Sequence, residues 1–335
     1  MSELVVEALG RLVPGGVTGH GLDRGGRVLR WVRAGSGDIP VVFVAGAGET
    51  LLDWANILPD LAVHASLVAY DRAGLGGSDP MSPLTVAAQV GDLAALLAQT
   101  GPAIVVGHSW GGLLAQLVAF DHPRQVAGLV LVDPSHEEIL AALPWTLRVL
   151  AATTHRALTP MRAVGLFTRI ARSMATALAS RSTDDEQVRR LLIDAYLSSY
   201  ATRAQVAVIG AENRVADRSV RQVRAKRASS SLPAVPVVAL SATRKPPHLR
   251  DRSATLTGAV VAAAGGRHVI VDGAGHYIHH DRPDVVIAEI RSLIDATAGT
   301  AKAHRAQTIH PVPRQSCGSH RANGEMSSRQ GPSGR

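Results

Sequence analysis

The stretch "AIVVGHSWGGLLAQLVAF", residues 103–120, sets one serine between two glycines and beside a histidine. Residues 103–106 are short, apolar and β-branched enough for a buried strand, and residues 113–120 are apolar enough for a buried helix. Ser109 therefore falls at the turn between them, in a strained backbone position that lifts its hydroxyl above the sheet edge. Gly107 and Gly111 stand where a Cβ would collide as the chain doubles back. A serine hydroxyl is a poor nucleophile at its free pKa. It needs a base within hydrogen-bond reach, and the base needs a third group to fix its tautomer. His276, in "VDGAGHYIHHD", follows the last expected strand, and Gly273 and Gly275 leave its loop free to swing. His108, His279 and His280 are its competitors. Acyl transfer also needs donors aimed at a developing oxyanion, and the backbone N–H of Trp110, next after the serine, is one.

The elements that must carry these groups follow from patterning. Residues 17–45 read as strand, turn, strand, turn, strand, broken by "GG" at 25–26 and "GSGD" at 35–38. A helix around 51–61, a strand at "SLVAYD", a helix over 83–99, the strand before Ser109, a helix, and a strand at 127–133 come next. Alternating strands and helices predict an α/β fold: a mostly parallel sheet with helices on both faces. Residues 137–231 break the alternation, with helical stretches at 138–151, 157–180 and 184–209. They read as a helical cap between a first core part, 1–136, and a second, 232–298. Strands at 233–241 and 268–273 and a closing helix over 283–296 complete the second part. Residues 299–335 are polar, basic and aperiodic, and are expected to be a disordered tail.

Composition excludes several function classes. The chain has 335 residues, 46% of them hydrophobic, enough for a large core. The net charge of +8 comes from the cap and the tail, while acidic groups outnumber basic ones in 1–136, so the basic balance implies no nucleic-acid groove at Ser109. No metal is expected, because neither a cysteine nor a carboxylate lies at zinc-ligand spacing with the histidines. The single cysteine, Cys317, lies in the tail and suits a reducing compartment. The start lacks a signal-peptide pattern, and no apolar run reaches the roughly 20 residues needed to span a bilayer. A cytoplasmic protein without stable membrane insertion is expected.

Five motifs, "FVAGAGE", "YDRAGLGGSD", "GHSWGG", "AGLVLVDPSH" and "GAGHYIHHDRPD", occur in one order. Through them residues 15–298 resemble the α/β-hydrolase family. The resemblance implies that Ser109 is the nucleophile and His276 its base, and that His108, which precedes the nucleophile, is a packing and hydrogen-bonding residue. It implies a second oxyanion donor, the N–H of Ala47. Ala45 replaces a histidine frequent in the family, so the usual side-chain bracing of that loop is expected to be lost. The commonest family pattern places the acid after the strand at 235–240, but "SATRKPPHLRDRS" has no carboxylate before Asp251. A minority supplies it from the strand after the elbow helix, where Asp133 stands. Asp133 is preferred, Asp251 is the alternative, and Glu137 comes third. "YDRAGLGGSD" is read as scaffold, with Asp71 and Arg72 serving loop hydrogen bonds. His279 and His280 are expected at the start of the last helix.

These readings imply a cofactor-independent serine hydrolase acting on the ester, or as second choice the amide, of a small molecule. Relatives that open epoxides or displace halide use an aspartate nucleophile, which serine here argues against. The alternatives are an acyltransferase or a cofactor-free perhydrolase on the same triad, and a non-catalytic ligand-binding protein that kept the fold. The patterning carries no information on oligomeric state.

Overall fold

A computed structural model describes residues 2–146, 149–150, 153, 166–200 and 203–308. Eight strands form one sheet: β1 (Val17–Asp23), β2 (Val28–Ala34), β3 (Pro40–Val44), β4 (Ser66–Tyr70), β5 (Ala103–His108), β6 (Val126–Val132), β7 (Val237–Ala242) and β8 (Arg267–Val271). Their spatial order is β1-β2-β4-β3-β5-β6-β7-β8. β2 pairs antiparallel with β1 and β4, and every other neighbouring pair is parallel. The parallel part lies between two helical layers, so its strands are apolar on both faces. Val41 and Phe43 of β3, Ile104 and Val106 of β5, and Val130 and Val132 of β6 point into one core. Their neighbours Val42, Val44, Val105, Leu129 and Leu131 point into the other, as a side-chain period of two requires.

The helices divide between these faces. α1 (Glu3–Leu12), a 3₁₀ turn (Leu51–Trp54) and α2 (Leu58–Ala62) cover the first core. α3 (Val86–Thr100) and α4 (Ser109–Asp121) cover the second. Between β6 and β7 the described residues form only helices: α5 (Glu137–Ala142), α6 (Leu166–Ser182), α7 (Glu186–Tyr200) and α8 (Arg203–Ser229). Leu192, Ala195 and Tyr196 of α7 join the first core, and Ala216 and Val223 of α8 join the second. Parts of the helices expected at 138–151 and 157–180 lie outside the described residues. Among the described residues, no helix is long and apolar enough to cross a membrane.

Several elements differ from the sequence expectation. α1 was not expected, although its buried Val5, Ala8 and Leu9 follow helical spacing and Ser2 caps it by accepting from the N–H of Val5. The helix expected over 51–61 is broken into two short turns. A helix not expected from the patterning, α9 (Pro247–Ala263), follows β7 and starts where proline fits the first turn. α10 (Ile278–Asp281) is separate from the last helix, α11 (Pro283–Thr308). That last helix runs through the boundary placed at 298, so 299–308 are helical; residues 309–335 of the expected tail lie outside the described residues.

Candidate active site

β5 ends at His108 and α4 begins at Ser109 with no intervening loop. Such a reversal forces the first helical residue into the left-handed region, and Ser109 has φ 49°. A Cβ on Gly107 would lie 2.5 Å from the Gly111 carbonyl oxygen and 2.7 Å from Gly112 Cα. A Cβ on Gly111 would strike β3 instead, overlapping the Val44 carbonyl and standing 2.5 Å from that of Ala45. Backbone cannot yield as a side chain can, so Gly111→Ala should cost about 3 kcal/mol or more, read as a fall in the denaturant midpoint. An unchanged midpoint would contradict this packing.

The structure brings Ser109, His276 and Asp133 together from three places in the chain. His276, on the loop between β8 and α10, has Nε2 3.0 Å from Ser109 Oγ. Its Nδ1 lies 2.6 Å from Asp133 Oδ2. The ionised carboxylate accepts a hydrogen bond from Nδ1–H, which leaves Nε2 to accept from the serine hydroxyl. Asp133 follows directly on β6 with φ 43°, its side chain 1% exposed against 44% for His276. The carboxylate is thus buried and fixed, while the imidazole is open to solvent. Ser135 is a neighbour, its N–H donating to the Ser109 carbonyl and its Oγ 3.4 Å from Ser109 Oγ.

Asp251 is not brought to this site. It lies on α9, exposed and paired with Arg250 at 2.8 Å. Glu137 points elsewhere as well, into an ion pair with Arg227. The loop after β7 contributes a cation instead of an acid: Lys245 Nζ lies 2.6 Å from Asp133 Oδ1, which also accepts the Ala242 N–H at 3.2 Å. Burial alone would raise the Asp133 pKa, but the hydrogen bond from His276 and the charge of Lys245 hold it below the usual carboxylate value. A depressed carboxylate stabilises the fold above its unfolded pKa and loses that contribution as pH falls through the folded value. Lys245→Met should therefore move the acid-unfolding midpoint to higher pH, measurable by circular dichroism. An unmoved midpoint would show that the ammonium does not act on Asp133. Sequence reasoning missed Lys245, whose one faint signal is that it is one of three lysines in an arginine-rich chain.

The histidines beside the site form a buried layer under it. His108 donates from Nε2 to the His276 carbonyl at 3.1 Å, and its Nδ1 lies 3.1 Å from Glu49 Oε2. His279 and His280 lie on α10 rather than on the last helix, and each places Nε2 2.8 Å from an Asp53 oxygen. Burial pushes His279 down to about 3, so it donates to Asp53 as a neutral ring. Asp53, His108 and His279 offer one ligand-type atom each within 4.8 Å of one another, a set that could hold a cation. The Asp53 carboxylate, His108 Nδ1 and His279 Nε2 already have protein hydrogen-bond partners.

The loop carrying Ala47 follows β3, and Trp110 sits in the first turn of α4, where a backbone N–H has no intrahelical acceptor. The expectation that this loop lacks side-chain bracing is corrected. Arg72 donates to the Ala45 carbonyl at 2.5 Å and to the Gly46 carbonyl at 2.6 Å. Glu49 accepts the Gly46 N–H at 2.6 Å. Arg72 is buried, which alone would lower its pKa, but its pair with Glu212 holds it above the usual value. Asp71 accepts the Gly77 N–H at 2.9 Å within its own turn, as expected, and the Leu51 N–H at 2.8 Å from the segment after β3.

The comparisons with known proteins agree with this architecture. The chain is 38% identical over 109 residues to the dihydrolipoyllysine-residue acetyltransferase component of the acetoin cleaving system of Cupriavidus necator, covering 32% of this chain and 29% of that protein. It is 41% identical over 105 residues to lipase LipV of Mycobacterium tuberculosis, covering 30% and 39%. These matches span well under half the length of either relative. A putative epoxide hydrolase from Pseudomonas aeruginosa superposes with a TM-score of 0.67 at 22% identity, over 86% of this chain and 98% of that one. Residues 41–289, from β3 into the last helix, match the model of the alpha/beta hydrolase family. With that match covering most of an eight-stranded sheet whose β5 turns sharply into α4 at Ser109, the chain belongs to the alpha/beta hydrolase family.

Proposed function

We propose that this chain is a serine hydrolase that cleaves an ester, or as second choice an amide, through an acyl-enzyme and without a cofactor. Ser109 Oγ attacks the substrate carbonyl carbon while His276 Nε2 takes its proton. Asp133 holds the ring in the Nδ1–H tautomer and stabilises the imidazolium as it forms. The oxyanion of the tetrahedral intermediate takes hydrogen bonds from the N–H groups of Trp110 and Ala47. The intermediate collapses, His276 returns the proton to the leaving oxygen or nitrogen, and the acyl group stays on Ser109. Water, deprotonated by His276, then releases the acid.

The observation that supports this reading is the unbroken line from Ser109 Oγ to His276 Nε2, 3.0 Å, and from His276 Nδ1 to Asp133 Oδ2, 2.6 Å. The similar Pseudomonas aeruginosa protein is called a putative epoxide hydrolase, but a ring-opening alkyl-enzyme needs a carboxylate at the elbow, and this chain has a hydroxyl there. A panel of p-nitrophenyl esters of graded chain length, with lactones and aminoacyl amides, tests the proposal. The wild-type chain should turn over at least one ester with a burst equal to the enzyme concentration. Hydrolysis no faster than with Ser109→Ala across the whole panel would overturn it.

A further inference from the structure

Glu212 enters the molecule from α8 and is fully buried. Its carboxylate accepts four hydrogen bonds: from Arg72 Nε and Nη2 at 2.8 Å each, from Gln89 Nε2 at 2.8 Å, and from the Gly48 N–H at 2.6 Å. Each donor leads to the loop after β3 or to the elbow. Arg72 grips the carbonyls of Ala45 and Gly46, and Gln89 Oε1 accepts the Trp110 indole N–H at 2.9 Å. The neighbouring turn of α8 packs on the same loop. A Cβ on Gly48, which has φ 76°, would meet Ile209 Cγ1 at 2.8 Å, so the glycine admits the helix.

Peptide geometry turns this grip into an orientation. The Gly46 carbonyl and the Ala47 N–H belong to one planar trans peptide and point in opposite directions. With the carbonyl held by Arg72, the N–H is aimed away from the buried ion pair. On the other side of Ala47, the Gly48 N–H is tied to Glu212 itself, so both peptides flanking Ala47 are fixed. We infer that Glu212 is a positioning residue: seating of α8 through this carboxylate sets the direction of the Ala47 N–H and assembles the oxyanion hole. The helices inserted between β6 and β7 would then act on the chemical step as well as covering the site. This rests on the reading of Ala47 and Trp110 as oxyanion donors.

The test is steady-state kinetics on the best ester substrate with Glu212→Gln. An amide cannot accept from all four donors, so the loop loses part of its grip. The expected result is a fall in kcat of about 10²-fold, the scale of one lost oxyanion donor, with KM changed by less than about threefold. Because Gln leaves the Arg72 charge buried and unpaired, that variant can fail to fold. The double variant Arg72→Gln with Glu212→Gln removes both charges and should fold, with the same kinetic pattern. Arg224→Ala, on the same helix as Glu212, breaks an exposed pair with Glu138 of α5 and should leave kcat within about twofold. Wild-type kcat in a folded Glu212 variant, or a rise in KM with kcat unchanged, would overturn the inference while Ser109→Ala remained inactive. Full activity in Ser109→Ala would overturn the proposed function and this inference together.

Discussion

Ser109→Ala and His276→Ala should each reduce ester hydrolysis by about 10⁴-fold or more while leaving the fold intact, because nucleophile and base act as one unit. Both positions tolerate the change structurally. Ser109 is only partly buried and His276 is open to solvent, so no large core cavity follows. Combining the two should cost little more than either alone. That non-additivity, in kcat measured at saturating substrate, separates a shared proton-transfer step from two independent losses. Activity in either single variant equal to wild type would remove these residues from the chemistry.

The acid gives the second large effect. Asp133→Asn should keep the side-chain shape but present an amide to His276 Nδ1, favouring the wrong imidazole tautomer, at a cost of about 10⁴ in kcat by analogy with other triads. Asp251→Asn should leave kcat within about twofold, since Asp251 is exposed and occupied by Arg250. The variant at 133 also loses its charge beside Lys245, so circular dichroism must show a folded protein before the rate is read. A full rate in Asp133→Asn with a large loss in Asp251→Asn would transfer the acid to the segment after β7.

How far the sequence carried this reading depends on how local each signal was. The central strands could be read because β3, β5 and β6 are short runs dominated by Val, Ile and Leu. The elbow could be read because a serine with glycines two residues on either side has few other uses at a strand-to-helix junction. α1 carries a signal of the same local kind in the helical spacing of Val5, Ala8 and Leu9. α9 was harder. It opens on prolines and clustered charges and buries only Thr257 and Val261, so it has little apolar stripe to detect.

Pairings made by the tertiary fold were out of reach. Lys245 meets Asp133 across 112 residues, and Arg72 meets Glu212 across 140. Neither separation leaves a periodicity in one sequence. For the same reason Ala45 suggested an unbraced oxyanion loop. Most of the brace comes from Arg72 on the loop after β4 and Glu212 on α8, with Glu49 the loop's own contribution. His279 and His280 illustrate the opposite limit: their types suggested chemistry, but their direction is inward, to Asp53, and only packing decides that.

Ser109 is proposed to carry the acyl group, and trapping the covalent adduct decides whether it does. A fluorophosphonate added in slight excess should phosphonylate one site per chain, and mass analysis of the digested protein should place the adduct on the peptide containing Ser109. Labelling should vanish in Ser109→Ala and slow by orders of magnitude in His276→Ala. An adduct on Ser135 or another residue, or undiminished labelling of Ser109→Ala, would contradict the account.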